Sequence, residues 1–263
     1  MNGVEVFRCY DEFGPIQVFD EGPYRYLTFG EGGEQSRILV DTPAVPIYQY
    51  TQAMLMALLF QPAPGQVTLL GLGAGSLANA LLDYSDSVTV TAVELRPQVL
   101  AVAQRWFQLS SSPRLTIHIR DACHYISQFS HQLEQQSTAD NSLDDAPADL
   151  IFTDIYSDQG MQHEQLDPNF IFDCYTSLSD QGVLVLNLWD EGKGFHPLAR
   201  ERLTQQFGEQ WIYCPVDSGN LIVFAFKGGV PEISQRRLIP LANKLGKQLN
   251  VPFKRLLNNL HSA

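Results

Sequence analysis

The sequence predicts an α/β fold. It reads as a mainly parallel, doubly wound sheet of seven strands that ends in an antiparallel hairpin and is preceded by a small antiparallel β annex. Three observations carry this expectation. From Val67 onward, short apolar β-type runs alternate with helical stretches, the pattern of a parallel sheet covered on both faces. The first run enters a Gly-x-Gly-x-Gly turn at 71–75, and the second ends in Glu94. Residues 1–40 instead alternate only partly, and turn signals break them into short pieces.

In the annex the strand-like runs are Val4–Phe7, Ile16–Phe19, Tyr24–Leu27 and Ser36–Leu39, set apart by Phe13-Gly14-Pro15, Glu21-Gly22-Pro23 and residues 30–33. Tyr48–Phe60 reads as a helix with Met54, Leu55, Leu58 and Leu59 on its apolar side, and Gln61–Gly65 as a Pro-rich hinge. The sheet strands are Val67–Leu70, Val88–Val93, Leu115–Ile119, Leu150–Thr153, Val183–Leu188, Trp211–Pro215 and Leu221–Phe226. Helices are expected at Ser76–Tyr84, Pro97–Phe107, Asp121–Leu133, Phe170–Ser177 and Pro197–Phe207. Only five residues separate the last two strands, which makes them a hairpin. Gln132–Ala148 is polar and aperiodic, a surface loop. The basic tail from Pro231 reads as two outer helices. The expected division is annex and linking helix at 1–60, nucleoside-binding domain at 61–228 and helical tail at 229–263.

A chain of 263 residues can bury a full core. Its formal net charge of -12 argues against nucleic acid as partner, since phosphate-binding surfaces need clustered Lys and Arg. That charge mildly favours cationic small molecules. The four cysteines form no C-x-x-C pair and the six histidines no metal-binding spacing, so no metal is expected. No basic segment leads into an apolar run near Met1, and the longest apolar stretch, Ala53–Phe60, is far too short to span a bilayer. A cytoplasmic protein with no membrane partner is the expectation.

The strand–turn–helix–strand–acid order points to a nucleoside. Gly71, Gly73 and Gly75 let backbone approach a ligand closely, and an acid roughly 20 residues on is placed to take both ribose hydroxyls. A dinucleotide site wants Gly-x-Gly-x-x-Gly, but the sixth position here is Ser76. The Gly-x-Gly-x-Gly form resembles motif I of the S-adenosylmethionine-dependent methyltransferase fold. Asp154, ending the fourth strand, sits where open α/β sheets bind ligands. A carboxylate there can orient a protonated amine and take its proton. A turn former or helix cap is the plainer reading of Asp154, and an N-cap of the next helix that of Asp121.

Further pieces follow in order: Phe13-Gly14, Val18-Phe19-Asp20, Gln35-Ser36 with Tyr50 at a helix start, Arg120-Asp121-Ala122, and Ala148–Asp158. This layout resembles the spermidine synthase (aminopropyltransferase) family across nearly the whole chain. The resemblance implies a β annex on a Rossmann-like methyltransferase fold, dimeric through the annex. It implies transfer of an aminopropyl group from decarboxylated S-adenosylmethionine to a diamine, leaving methylthioadenosine. By that resemblance Glu94 holds the ribose, Asp121 holds the adenine amino group, Gln35 contacts the nucleoside, and Ala122 belongs to the cofactor-binding set. Asp154 is then the base, while Tyr50, Tyr156 and Asp158 hold the substrate, a small molecule of the polyamine class.

Three positions depart from the family pattern. Its glycine turn carries an Asp where this chain has Ala74, its Asp-Glu pair shortly before the annex tyrosine is replaced by Pro46-Ile47-Tyr48-Gln49 before Tyr50, and three residues rather than two separate Asp154 from Asp158. Alanine neither attracts an aminopropyl ammonium nor repels the carboxylate of intact S-adenosylmethionine. The expectation is therefore a spermidine synthase-like transferase on an adenosyl sulfonium cofactor, outside standard spermidine synthesis. Two alternatives stay open: a methyltransferase that uses intact S-adenosylmethionine and releases S-adenosylhomocysteine, and a non-catalytic nucleoside-binding protein.

Overall fold

The computed structural model describes residues 3–30, 33–136, 146–158, 160–189, 195–217 and 219–263. The annex is a four-stranded antiparallel meander of β1 (Val4–Asp11), β2 (Gly14–Glu21), β3 (Tyr24–Thr28) and β4 (Glu34–Leu39). One of its faces is apolar through Ile16, Val18, Leu27 and Ile38, all fully buried. That face needs cover, and Val99, Val102 and Phe107 of the main domain supply it.

The expected linking helix is two short ones, α1 (Gln49–Met54) and α2 (Ala57–Phe60). Every residue from Ala53 to Leu59 is buried, because this segment lies in the main core rather than spanning solvent. The alternating region follows as β5 (Gln66–Leu70), α3 (Ser76–Tyr84), β6 (Thr89–Glu94), α4 (Pro97–Trp106), β7 (Leu115–Ile119), α5 (Ala122–Gln136) and β8 (Ala148–Thr153). Then come a hairpin of two-residue strands, β9 (Tyr156–Ser157) and β10 (Gly160–Met161), a 3-10 turn at His163–Leu166, α6 (Pro168–Ser177) and β11 (Leu178–Trp189). The chain closes with α7 (Pro197–Phe207), β12 (Trp211–Pro215), β13 (Asn220–Phe226), α8 (Gln235–Leu249), α9 (Phe253–Leu257) and β14 (His261–Ser262). Much of the expected polar loop, 137–145, lies outside the described residues, and its first part continues α5.

The large sheet runs β14-β12-β13-β11-β8-β5-β6-β7. All seven expected strands are there, but the count is eight, because β14 adds a short antiparallel edge to β12. β11, β8, β5, β6 and β7 are mutually parallel, and β13 runs against both β11 and β12. Side chains alternate between the two faces of each strand. Thus Val183 and Val185 of β11 and Ile222 and Phe224 of β13 join the core under α1 to α3, α8 and α9. Leu184 and Leu186, with Val223 and Ala225, join the core under α5, α6 and α7. Runs buried on both faces are what the near-continuous apolar strands of the sequence require. The tail is tied in by Leu238, Ala242, Leu245, Phe253 and Leu256, all buried in the first core. Among the described residues no helix is long and apolar enough to cross a membrane.

The order of strands puts a switch point between β5 and β8. From β5 the chain winds outward through β6 and β7, then returns to build β8 on the other side. The carboxyl ends of β5 and β8 therefore open a crevice, the place where such sheets bind ligands.

Candidate functional site

A cavity of ≈1120 Å³ opens at that crevice, between the annex and the carboxyl edge of the sheet. Its floor is the glycine turn. Gly71 has φ +103°, and a Cβ there would collide with the backbone carbonyl of Asp154. Three strand ends are stitched together: the Asp154 amide donates to Leu70 O (2.9 Å), tying β8 to β5, and the Gly71 amide to Val93 O (2.9 Å), tying β5 to β6. Gly71→Ala is expected to lower stability by about 1–3 kcal/mol, from backbone strain and from the displaced Asp154 backbone. Thermal melting checks this; an unchanged melt with unchanged activity would remove the argument.

Glu94 ends β6 and is 8% exposed. Its Oε2 accepts from the amides of Leu72 and Gly73 (both 3.3 Å), and Oε1 from the amide of Arg96 (2.9 Å). Burial pushes its pKa up, and these backbone donors and the nearby Arg96 pull it back. One acid thus holds the shape of the turn and still faces the cavity.

Asp154 follows β8. Burial raises its pKa to about 6, against the pull of Asn187, whose Nδ2 donates to Asp154 Oδ1 (2.8 Å). Tyr156 donates its hydroxyl to the Asn187 carbonyl (3.3 Å). Tyr50, from α1, donates to the Gln35 carbonyl (3.4 Å). Both phenols are held well above the usual tyrosine range, burial being the main cause and the neighbouring Asp154 the next.

Gln35, Tyr50, Gly71, Gly73, Glu94, Asp121, Ala122, Asp154, Tyr156 and Asp158 all border this one cavity. Asp121 also caps α5, its Oδ1 accepting from the His124 amide (2.8 Å), so a cap and a cavity position coexist. Asp158 is exposed, at the rim on the turn of the β9–β10 hairpin. Gly75 does not border the cavity: it begins α3 with φ +81°, and a Cβ there would strike Leu109. Ala74 also turns away: it is 1% exposed, packed with Ile16, Val18 and Phe29 between annex and main domain.

Two features went unread in the sequence. Asn187 interrupts the run Val183–Leu188 and is 2% exposed, and a lone amide in a central strand is the signal that could have found it. Arg96 is 7% exposed and forms a two-pronged ion pair with Asp11 (2.7 and 3.0 Å). It also donates to Gly14 O (3.0 Å) and sits over the Phe29 ring at 4.5 Å. This clamps the annex hairpin to the strand end that carries Glu94, across 85 residues of chain that no local pattern spans.

Among the described residues the wall carries six carboxylates (Glu34, Glu94, Asp121, Asp154, Asp158, Glu164) against one guanidinium, that of Arg96, already paired. Low-dielectric walls of one sign concentrate ligands of the other. The described residues hold no group of three or more His, Cys, Asp or Glu that could bind a metal ion.

No protein-family profile matches the chain. The polyamine aminopropyltransferase of Neisseria meningitidis serogroup A is 30% identical over 254 residues, covering 95% of this chain and 90% of that protein. A spermidine synthase solved with the transition-state analogue AdoDATO superposes with a TM-score of 0.71 at 19% identity, over 98% of this chain and 84% of that one. Human methyltransferase-like protein 13, solved with SAH, superposes with a TM-score of 0.60 at 24% identity, over 77% and 90%. The two structures share the fold: a Rossmann-like methyltransferase sheet. The likeness in sequence spans annex, glycine turn and tail alike, and on it the chain belongs to the polyamine aminopropyltransferase family, as a divergent member.

Proposed function

We propose that this chain transfers an aminopropyl group from an adenosyl sulfonium compound, decarboxylated S-adenosylmethionine, to a small amine other than the standard diamine. Asp154 is the base. The observation that carries this reading is a half-buried carboxylate at the switch point, with one oxygen held by Asn187, in the same cavity as Glu94.

The glycine turn with its inward amides and the buried Glu94 fit an adenosyl ligand, since backbone can approach closely and the acid can accept from both ribose hydroxyls. Asp121, Ala122 and Gln35 would border the nucleoside. When bound, a sulfonium supplies an electrophilic carbon and a neutral thioether as leaving group. Asp154 orients the amine nitrogen and accepts the proton it sheds as the new carbon–nitrogen bond forms. Tyr50 and Tyr156, which border the same cavity, stay neutral and help fix the approach. A base must be ionised, so kcat/KM for the amine rises with pH through about 6, the value burial gives Asp154.

The wall supports a cationic acceptor and disfavours the carboxylate of intact S-adenosylmethionine. The acceptor departs from the standard one because Ile47, beside Tyr48 and Tyr50, offers no charge to a distal ammonium. A second reading, methyl transfer from intact S-adenosylmethionine, is supported by the turn itself: residues 71–76 carry no acid.

Calorimetry separates the readings. Binding of the decarboxylated compound more than about tenfold tighter than the intact one supports aminopropyl transfer. Intact compound bound as well or better favours methyl transfer. If neither these nor methylthioadenosine bind at millimolar concentration, no nucleoside site exists here. Binding without turnover over a panel of amines would leave a nucleoside-binding protein.

A further inference from the structure

The geometry points to Asn187, backed by Asn220, as the positioning residue that aims and holds the Asp154 carboxylate; this rests on Asp154 being the base. Neither asparagine belongs to a motif, and both are nearly inaccessible, at 2% and 6% exposure. The register explains why they meet Asp154. In the parallel pair β11–β8, Val185 lies opposite Phe152 and Leu186 opposite Thr153, so one further step sets Asn187 beside Asp154. Alternation sends Val185 and Phe152 to the same face, and their successors two residues on share it. In the antiparallel pair β11–β13, Asn187 lies opposite Ile222, and Asn220 follows on that face at the same edge of the sheet.

The bonds run in one direction. Asn220 Nδ2 donates to Asn187 Oδ1 (2.9 Å), and Asn187 Nδ2 donates to Asp154 Oδ1 (2.8 Å). With its oxygen accepting from Asn220, the Asn187 amide turns its N–H toward Asp154. Asp154 Oδ1 is thereby reserved as an acceptor, and the other oxygen is left for the amine. A leucine at 187 would suit a strand that already carries Leu184, Leu186 and Leu188; a buried amide is tolerated only with its bonds made.

A donor to the carboxylate favours its ionised form. The titratable groups near Asp154 are Tyr50 from α1 and Tyr156 from β9, both neutral across the working range, with Glu94 at the end of β6 and Asp158 beyond the hairpin turn sharing the cavity. None of these offers a replacement donor that is already aimed at Oδ1.

The test is the acid limb of kcat/KM in Asn187→Leu, Asn220→Leu, Asp154→Asn and the native protein, with an amine acceptor and decarboxylated S-adenosylmethionine. Asn187→Leu is expected to move the limb upward by about one pH unit and to recover part of the lost rate at high pH. Asn220→Leu, one bond further back, moves it the same way by less, and keeps the question open to measurement if Asn187→Leu does not fold. A merely structural role would lower the plateau without moving the limb, and superimposable limbs in the folded variants overturn the inference. Turnover by Asp154→Asn overturns the base instead, which separates the two failures.

Discussion

Asp154→Asn is expected to abolish group transfer and, at pH 8, to make the protein more stable. General-base catalysis contributes about 10²–10⁴-fold, so turnover should fall by at least about a hundredfold. The stability effect follows from the raised pKa. Burial lifts the carboxyl from 3.8 to about 6, so the folded state disfavours the ionised form. The stability this group lends is fully present below about 3.8 and lost as pH rises through about 6. At about 1.4 kcal/mol per tenfold change in proton affinity, burying the charge costs up to about 3 kcal/mol at pH 8. Asparagine keeps the shape, leaves an oxygen for Asn187 and carries no charge. Melting curves at pH 8 and pH 4 check this: the gain should be of the order of 1–3 kcal/mol at the first and shrink at the second. If Asp154 were only a turn former, the variant would gain the same stability at pH 8 but would turn over normally.

The parallel sheet was legible because its central strands are near-continuous apolar runs, and the helices because their apolar residues recur at helical spacing. Glu94 and Asp154 were legible for the same reason: each is an acid placed where a recognisable strand ends. β14 was not, since a two-residue edge pairs through backbone and leaves no pattern at His261–Ser262. Nor was the break at Leu55–Met56, where an all-apolar segment carries neither glycine nor proline. Within the glycine turn, spacing alone could not separate Gly71, against the Asp154 backbone, from Gly75, against Leu109. The direction of each position depends on successive positive φ angles, which no periodicity records. For that reason Ala74 reads in the sequence as a missing charge in the pocket, whereas its side chain packs into the seam between annex and sheet. The Asp11–Arg96 pair and the Asn220–Asn187–Asp154 relay are tertiary; they exist only once strands far apart in the chain are in register.

Glu94→Gln is expected to bring no gain in stability and to cost nucleoside binding instead. Asp154 receives one side-chain donor, but Glu94 receives three backbone donors, two at Oε2 and one at Oε1. An amide must turn its NH₂ toward one side or the other. Either the Leu72 and Gly73 amides or the Arg96 amide then meets a donor instead of an acceptor, and a buried unpaired N–H costs about 1–3 kcal/mol. Neutralising the buried charge offsets part of that, so the melt falls modestly or holds rather than rising. Binding should suffer far more. Hydrogen bonds to a charged group contribute about 1.5–3 kcal/mol each, and a ribose diol engages the carboxylate twice. Methylthioadenosine affinity is therefore expected to drop by at least about a hundredfold, measured by calorimetry. Asp154→Asn, which leaves the nucleoside pocket whole, should bind methylthioadenosine as the native protein does. The pair thus divides the cavity: one acid that the ligand needs in order to be held, and one that it needs only in order to react. Native affinity in Glu94→Gln would leave the ribose without its partner and move the nucleoside away from the glycine turn.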